Sequence, residues 1–199
     1  MSLILPRSLF LHAPKTGGSW VRRALHKAGL AVREVGDFHG SQPLDGNRLV
    51  FTFVRNPADW YLSRWRCPHH QERFRMGQND QFQDALTEQE ARCFPVWLER
   101  ILKITAERRG PADHLFSHYM RRADFVGRSE HLEEDLIEAL HQAGEEFDEQ
   151  AIRSTPRINE SVITRQAYTE ELFEEMLLME QNLIESFGYQ LNPNDYLHT

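Results

Sequence analysis

A short, mostly apolar run, Leu9-Phe10-Leu11-His12-Ala13, leads into Pro14-Lys15-Thr16-Gly17-Gly18 and then into a stretch whose apolar residues recur at helical spacing. This junction constrains the fold more than any other feature of the chain. A run bounded by Pro6 and Pro14 is too short for a helix and suits a buried strand. Val21, Ala24, Leu25 and Ala28 then mark one helix face, and Gly29 stops the pattern. The chain therefore begins strand, glycine loop, helix. Leu30 to Val35 reads as a second, shorter strand, and Leu49-Val50-Phe51-Thr52-Phe53-Val54 as a third, nearly all apolar, as expected of a strand covered on both faces. That order predicts a central parallel sheet flanked by helices, with ligands at the carboxyl ends of its strands.

Further along, the pattern from Pro57 to about Ala106 is helical and irregular, with a polar stretch at Gly77-Gln78-Asn79-Asp80 that reads as a loop. Asp124-Phe125-Val126-Gly127 suits one more short strand, and Leu132, Leu136 and Leu140 form a stripe on the helix after it. A final helix is predicted over 170–186, burying Leu172, Met176, Met179 and Leu183, with Gly188 as its stop. With no repeat and no linker, the expectation is an α/β fold in one domain, 1–199, carrying a helical, Arg-rich insertion at about 57–122.

The net charge of −7 conceals an asymmetry: residues 1–128 carry +7 and residues 129–199 carry −14. Twenty of the 23 basic residues are arginine. Cationic recognition here thus rests on planar, permanently charged guanidinium groups, and anions are expected on the first two thirds of the chain. The basic residues are not gathered into one arm or stripe, which argues against nucleic acid as partner. No apolar run reaches the ~18 residues that span a bilayer, so a soluble, cytoplasmic protein without a membrane span is expected. Cys67 and Cys93 cannot form a disulfide framework, and the set Cys67, His69, His70 and Cys93 has no standard zinc spacing, so no metal is expected.

The chemistry-bearing residues fall into two segments. Two glycines between a buried strand and a helix let backbone N–H groups converge at the positive end of the helix dipole, which makes an anion cradle. Lys15 adds a movable charge, and the Thr16 and Ser19 hydroxyls add donors. Lys15 precedes both glycines, unlike the lysine of the Walker phosphate loop, and this disfavours an ATP-dependent kinase. In the second segment the strand Leu49 to Val54 delivers Arg55 at its carboxyl end, and Asn56-Pro57 opens a helix on which Ser63 lies two turns on.

Together the two segments resemble the sulfotransferase superfamily, whose donor is 3′-phosphoadenosine 5′-phosphosulfate. Pro14-Lys15-Thr16-Gly17-Gly18-Ser19-Trp20 is similar to the family's 5′-phosphosulfate loop, with Gly18 in place of a hydroxyl residue. Arg55-Asn56-Pro57-Ala58-Asp59-Trp60-Tyr61-Leu62-Ser63 is similar to its 3′-phosphate motif. Gly127-Arg128-Ser129-Glu130-His131-Leu132-Glu133-Glu134-Asp135-Leu136 and Asn159-x-Ser161 resemble weaker segments of the bacterial and Golgi carbohydrate-type branch. The resemblance runs from about residue 9 to Tyr189. It implies a phosphate-loop-like sulfotransferase fold in which Lys15 neutralises the bridging oxygen as the sulfonyl group leaves. Thr16, Gly17, Gly18 and Ser19 would hold the 5′-phosphosulfate, Trp20 would lie against the adenine, Arg55 and Ser63 would bind the 3′-phosphate, and Asn159 and Ser161 would close over the nucleotide.

A base must take the proton of the hydroxyl acceptor. His39 has the side chain best suited to neutral pH, and it also resembles the Gly-His segment ahead of the 3′-phosphate strand in carbohydrate-type members. Glu34 is the rival, and Asp37 or water remains open. Arg64, Arg66, Arg73, Arg75, Arg92, Arg100, Arg121 and Arg122 suggest an anionic acceptor such as an acidic saccharide. Two other readings stand beside this one: a nucleotide-binding protein of the same fold without transfer activity, and the kinase.

Overall fold

The computed structural model describes residues 2–36, 48–66, 92–104, 110–157 and 167–197. Along the chain lie β1 (Ser2–Ile4), β2 (Ser8–Leu11), α1 (Gly18–Lys27), β3 (Arg33–Val35), β4 (Leu49–Val54), α2 (Pro57–Trp65), α3 (Phe94–Ile104) and α4 (Pro111–Met120). They are followed by β5 (Phe125–Arg128), a 3₁₀ turn Ser129–His131, α5 (Leu132–Gln142), α6 (Glu149–Arg153), α7 (Glu170–Met179), α8 (Gln181–Phe187) and a second 3₁₀ turn Pro193–Asp195. The chain divides into two compact units, Met1–Arg55 with Phe116–Glu160 and Asn56–Leu115 with Ser161–Thr199.

The first unit holds a five-stranded sheet in the order β3-β1-β2-β4-β5. β2, β4 and β5 run parallel, with Leu11 opposite Thr52 and Val54 opposite Arg128. The fold is thus mixed α/β, and the expectation of a wholly parallel sheet is corrected by β1, which pairs antiparallel with both β2 and β3. A local hairpin explains it: the turn Leu5 to Arg7 is closed by Leu5 N–H donating to the Ser8 carbonyl at 2.9 Å, and a short turn can only reverse the chain. Three residues are too few to show a period, although Leu3 is fully buried. β3 is limited to Arg33–Val35 at the sheet edge, short and largely exposed, as an edge strand that avoids mispairing should be.

Both faces of the sheet are covered. On one, the rings of Phe10, Phe51 and Phe53 pack with centroids 5.3–6.1 Å apart beneath Trp20, Val21, Ala24 and Leu25 of α1 and Leu132, Leu136, Ile137 and Leu140 of α5. Truncating one of these rings to alanine costs about 3–5 kcal/mol. On the other face Leu9, Leu11 and Val50 pack with Tyr119. The helix α1 ends where the sequence pattern ends, with Leu30 N–H donating to the Leu25 carbonyl and Gly29 N–H to that of His26.

The second unit is helical around an aromatic cluster that includes Phe94, Trp97, Tyr168, Phe173 and Tyr196. Its last helix is not continuous as expected: α7 and α8 meet at Glu180, whose side chain is fully buried. The carboxylate accepts from the Tyr61 hydroxyl at 2.6 Å and from the N–H groups of Ala112 and Asp113 at 2.9 and 2.8 Å, so it caps the amino end of α4. The buried stripe is accordingly Phe173, Met176 and Leu183, with Leu172 and Met179 only half-buried.

Candidate functional site

β2 and β4 are parallel neighbours, so the turns that follow them, Lys15 to Gly17 and Arg55, emerge at the same edge of the sheet. Lys15 has φ 71° and Gly17 φ 90°, and Lys15 is the one non-glycine residue in the left-handed region among the described residues. This pair of reversals folds the chain back into α1. The first helical bonds begin with Trp20 and Val21 N–H on the Gly17 carbonyl. The N–H groups of Gly17, Gly18 and Ser19 have no acceptor among the described residues and converge at the helix start, where anions are favoured.

Each side chain of the loop has a distinct position. Lys15 is half-buried and Ser19 exposed, whereas Thr16 is fully buried and its hydroxyl donates to the Ala13 carbonyl at 2.8 Å. Thr16 therefore ties the loop together rather than offering a free hydroxyl donor. Two features favour glycine at 17: its φ is left-handed, and a Cβ there would lie 2.5 Å from Leu132 Cδ2, which would have to shift. At Gly18 a Cβ would lie 2.1 Å from Nε2 of His12, so the imidazole of β2's successor residue fills the place of a side chain at position 18. This accounts physically for the missing hydroxyl at that position. Trp20 is 4% exposed, sits in the core and donates from Nε1 to the Thr155 carbonyl at 3.2 Å, packing that covers the ring surface a base would need.

Arg55 leaves β4 half-buried, and its Nη1 donates to the Lys15 carbonyl at 3.2 Å, which brings the two expected cationic residues together. Neither Lys15 nor Arg55 has a carboxylate partner among the described residues. The segment after β5 supports both. Ser129 Oγ lies 2.9 Å from the Val54 carbonyl and 3.2 Å from that of Thr16, Asp135 accepts from Arg128 N–H at 2.6 Å, and Leu132 packs under Gly17. Gly127 has no room for a Cβ between Phe53 and Asp135. One of the weaker sequence resemblances thus buttresses the loop Lys15 to Gly17.

The remaining expectations fare differently. Ser63 is half-buried on α2 in the second unit. There Asn56 and Asp59 form a reciprocal helix cap, Asn56 Oδ1 accepting from Asp59 N–H and Asn56 Nδ2 donating to Asp59 Oδ2, both at 2.8 Å. Asn-Pro-x-Asp carried that capping signal in the sequence. Glu34 lies on the edge strand and pairs with Arg22 at 3.0 Å, both about half exposed. His39, Asn159, Ser161, Asp37, Cys67, His69, His70, Arg73 and Arg75 lie outside the described residues.

Arg121 and Arg122 precede β5 at its amino end, away from Lys15 and Arg55, so they do not line an acceptor cleft at the loop. In the second unit the Arg64 guanidinium lies 5.4 Å from the Trp60 ring centroid and that of Arg66, the cap of α2, 6.0 Å from the Trp65 centroid. Among the described residues no group of three His, Cys, Asp or Glu side chains could hold a metal ion, and no helix is long and apolar enough to cross a membrane. No family model matches the chain, and neither curated proteins nor solved structures match it.

Proposed function

We propose that the protein is a sulfotransferase that takes the sulfonyl group of 3′-phosphoadenosine 5′-phosphosulfate and moves it to a hydroxyl acceptor. The observation that carries this reading is the set of N–H groups of Gly17, Gly18 and Ser19 at the start of α1, flanked by Lys15 and Arg55; among the described residues these N–H groups have no acceptor and neither cation is paired with an acid. Two cationic turns at one sheet edge suit a ligand with anionic groups at two positions, and the order of the two sequence segments supports the nucleotide. The N–H groups and Ser19 would hold the 5′-phosphosulfate, Arg55 the 3′-phosphate.

In the reaction the acceptor oxygen forms a bond to sulfur as the bond from sulfur to the bridging phosphate oxygen breaks. The products are a sulfate ester and adenosine 3′,5′-bisphosphate, and the acceptor proton passes to a base. Lys15 opposes the negative charge that develops on the leaving oxygen, a contribution largest in the transition state. His39 is the base of first choice. Its test is direct: His39→Ala should lower kcat by ~10²–10⁴-fold with donor affinity nearly unchanged. Glu34→Gln should leave kcat largely intact, since Glu34 already faces Arg22. Binding is tested separately, adenosine 3′,5′-bisphosphate raising the melting temperature well above the shift given by AMP. Equal shifts would remove the assignment of Arg55, and labelled donor that transfers to no hydroxyl acceptor would leave a nucleotide-binding protein without transfer activity.

A further inference from the structure

We infer that Ser129 is a positioning residue that holds the turns of Lys15 and Arg55 at the spacing one doubly phosphorylated nucleotide requires, an inference that rests on the reading that both turns grip the same nucleotide. Ser129 is the first residue after β5, and Arg128 stands opposite Val54, so the serine lies at the edge where β2 and β4 end. Its hydroxyl faces the carbonyl of Val54, the residue before Arg55, at 2.9 Å and that of Thr16, the residue after Lys15, at 3.2 Å. One hydroxyl proton serves both carbonyls. Without it two carbonyl dipoles would face each other across the gap and move apart.

A second tie between the turns is Arg55 Nη1 on the Lys15 carbonyl at 3.2 Å. That tie uses the guanidinium that a phosphate would claim. When Arg55 turns to a ligand, Ser129 still connects the two turns, beyond the strand pairing and the Thr52 hydroxyl on the Leu11 carbonyl below them. Its own position is secured from below, by Asp135 accepting from Arg128 N–H at 2.6 Å and by Leu132 against Gly17. Ser129 thus acts through the two turns and not on the ligand.

The consequence is selective. A ligand that engages two sites gains from the second only if their separation matches its own, whereas a ligand that engages one site is indifferent to that separation. The experiment is calorimetric titration of adenosine 3′,5′-bisphosphate, AMP and 3′-AMP into wild type, Ser129→Ala and Ser129→Thr. Ser129→Ala should weaken the bisphosphate about tenfold or more while each mononucleotide changes less than about threefold, and Ser129→Thr, which keeps the hydroxyl, should regain the bisphosphate affinity. Retained mononucleotide binding also reports that the variant is folded. Should Ser129→Ala not fold, Ser129→Cys, with a weak donor in the same place, should show the same selective loss in smaller measure. A wild-type preference for the bisphosphate that survives in Ser129→Ala, or a loss shared equally by all three nucleotides, overturns this inference alone. A wild type without that preference overturns the nucleotide reading, and this inference with it.

Discussion

The three parallel strands β2, β4 and β5 present basic residues at both ends, and the two ends differ in what those residues meet. At the amino end Arg7 N–H and Ser8 Oγ both donate to the buried Glu145 carboxylate at 2.8 Å. The Arg7 guanidinium reaches the Gly144 carbonyl and Glu146, Arg48 Nε donates to the Leu5 carbonyl, and Val50 N–H donates to Asp124. At the carboxyl end Lys15 stands in a left-handed conformation, the N–H groups of Gly17, Gly18 and Ser19 have no acceptor among the described residues, and Arg55 meets a backbone carbonyl in place of an acid. Cation content is therefore alike at the two ends, and what differs is the company of the polar groups: carboxylates at the amino end, and at the carboxyl end a helix start whose N–H groups would favour an anion.

The largest expected effect tests that contrast on activity. On the proposed function, Lys15→Ala should lower the kcat of sulfonyl transfer by ~10²–10³-fold while bisphosphate affinity falls much less, since the lost charge would matter most as the leaving oxygen becomes anionic. Arg7→Ala removes the same unit of charge from the opposite end. Its exposed pair with Glu146 is worth little, so kcat should stay within about twofold. A comparable loss in both variants, measured by labelled-donor turnover, would mean that the overall field of the basic region matters and the loop does not.

The company of polar groups has its own signature, and Glu180 in the second unit sharpens it. Burial pushes this carboxyl up to about 7, against the opposing pull of the Tyr61 hydroxyl and the Ala112 and Asp113 N–H groups. The same burial, with Glu180 alongside, raises the Tyr61 hydroxyl well above its usual range, so that it remains a donor. An acid whose folded value is raised stabilises the fold fully below its unfolded value of 4.5, and that stability is lost as pH rises through about 7. The loss is on the order of 3 kcal/mol. Chemical denaturation from pH 4.5 to 8 should therefore show declining stability in wild type and a flatter profile in Glu180→Gln. A wild-type profile that is already flat would place the carboxyl in its ordinary range.

How much of this was legible in the sequence depends on the range of the interactions involved. The strand, glycine loop and α1 were readable because Leu9 to Leu11, Gly17 and Val21 to Ala28 signal locally. β4 was readable from six consecutive strand-forming residues. β1 was hidden by its three-residue length, and the break at Glu180 by its cause, a carboxylate reaching Tyr61 and Ala112, both distant in sequence. Within the site Lys15 and Arg55 could be named from their segments. The parts that hold them, Ser129 on Thr16, Leu132 under Gly17 and His12 beneath Gly18, depend on through-space proximity that no short pattern encodes.

The smallest effect is the most selective, because it separates backbone strain from charge. Lys15→Gly and Lys15→Ala both lack the ammonium group, so both should lose turnover alike. They differ in the backbone: φ 71° costs a residue with a Cβ about 1–2 kcal/mol and costs glycine nothing. Glycine's freer unfolded chain offsets about 0.4–1 kcal/mol of that gain. Lys15→Gly should therefore be more stable than Lys15→Ala by up to about 1.5 kcal/mol, each kcal/mol being a shift of ~2–4 °C in melting temperature for a chain of this size. At Arg7 no left-handed conformation is present, and there the order should reverse, Arg7→Gly melting below Arg7→Ala. Opposite signs at the two ends would show that the loop holds its lysine at an energetic cost in backbone strain. The same sign at both would remove strain from the contrast and leave it resting on the N–H groups at the start of α1 alone.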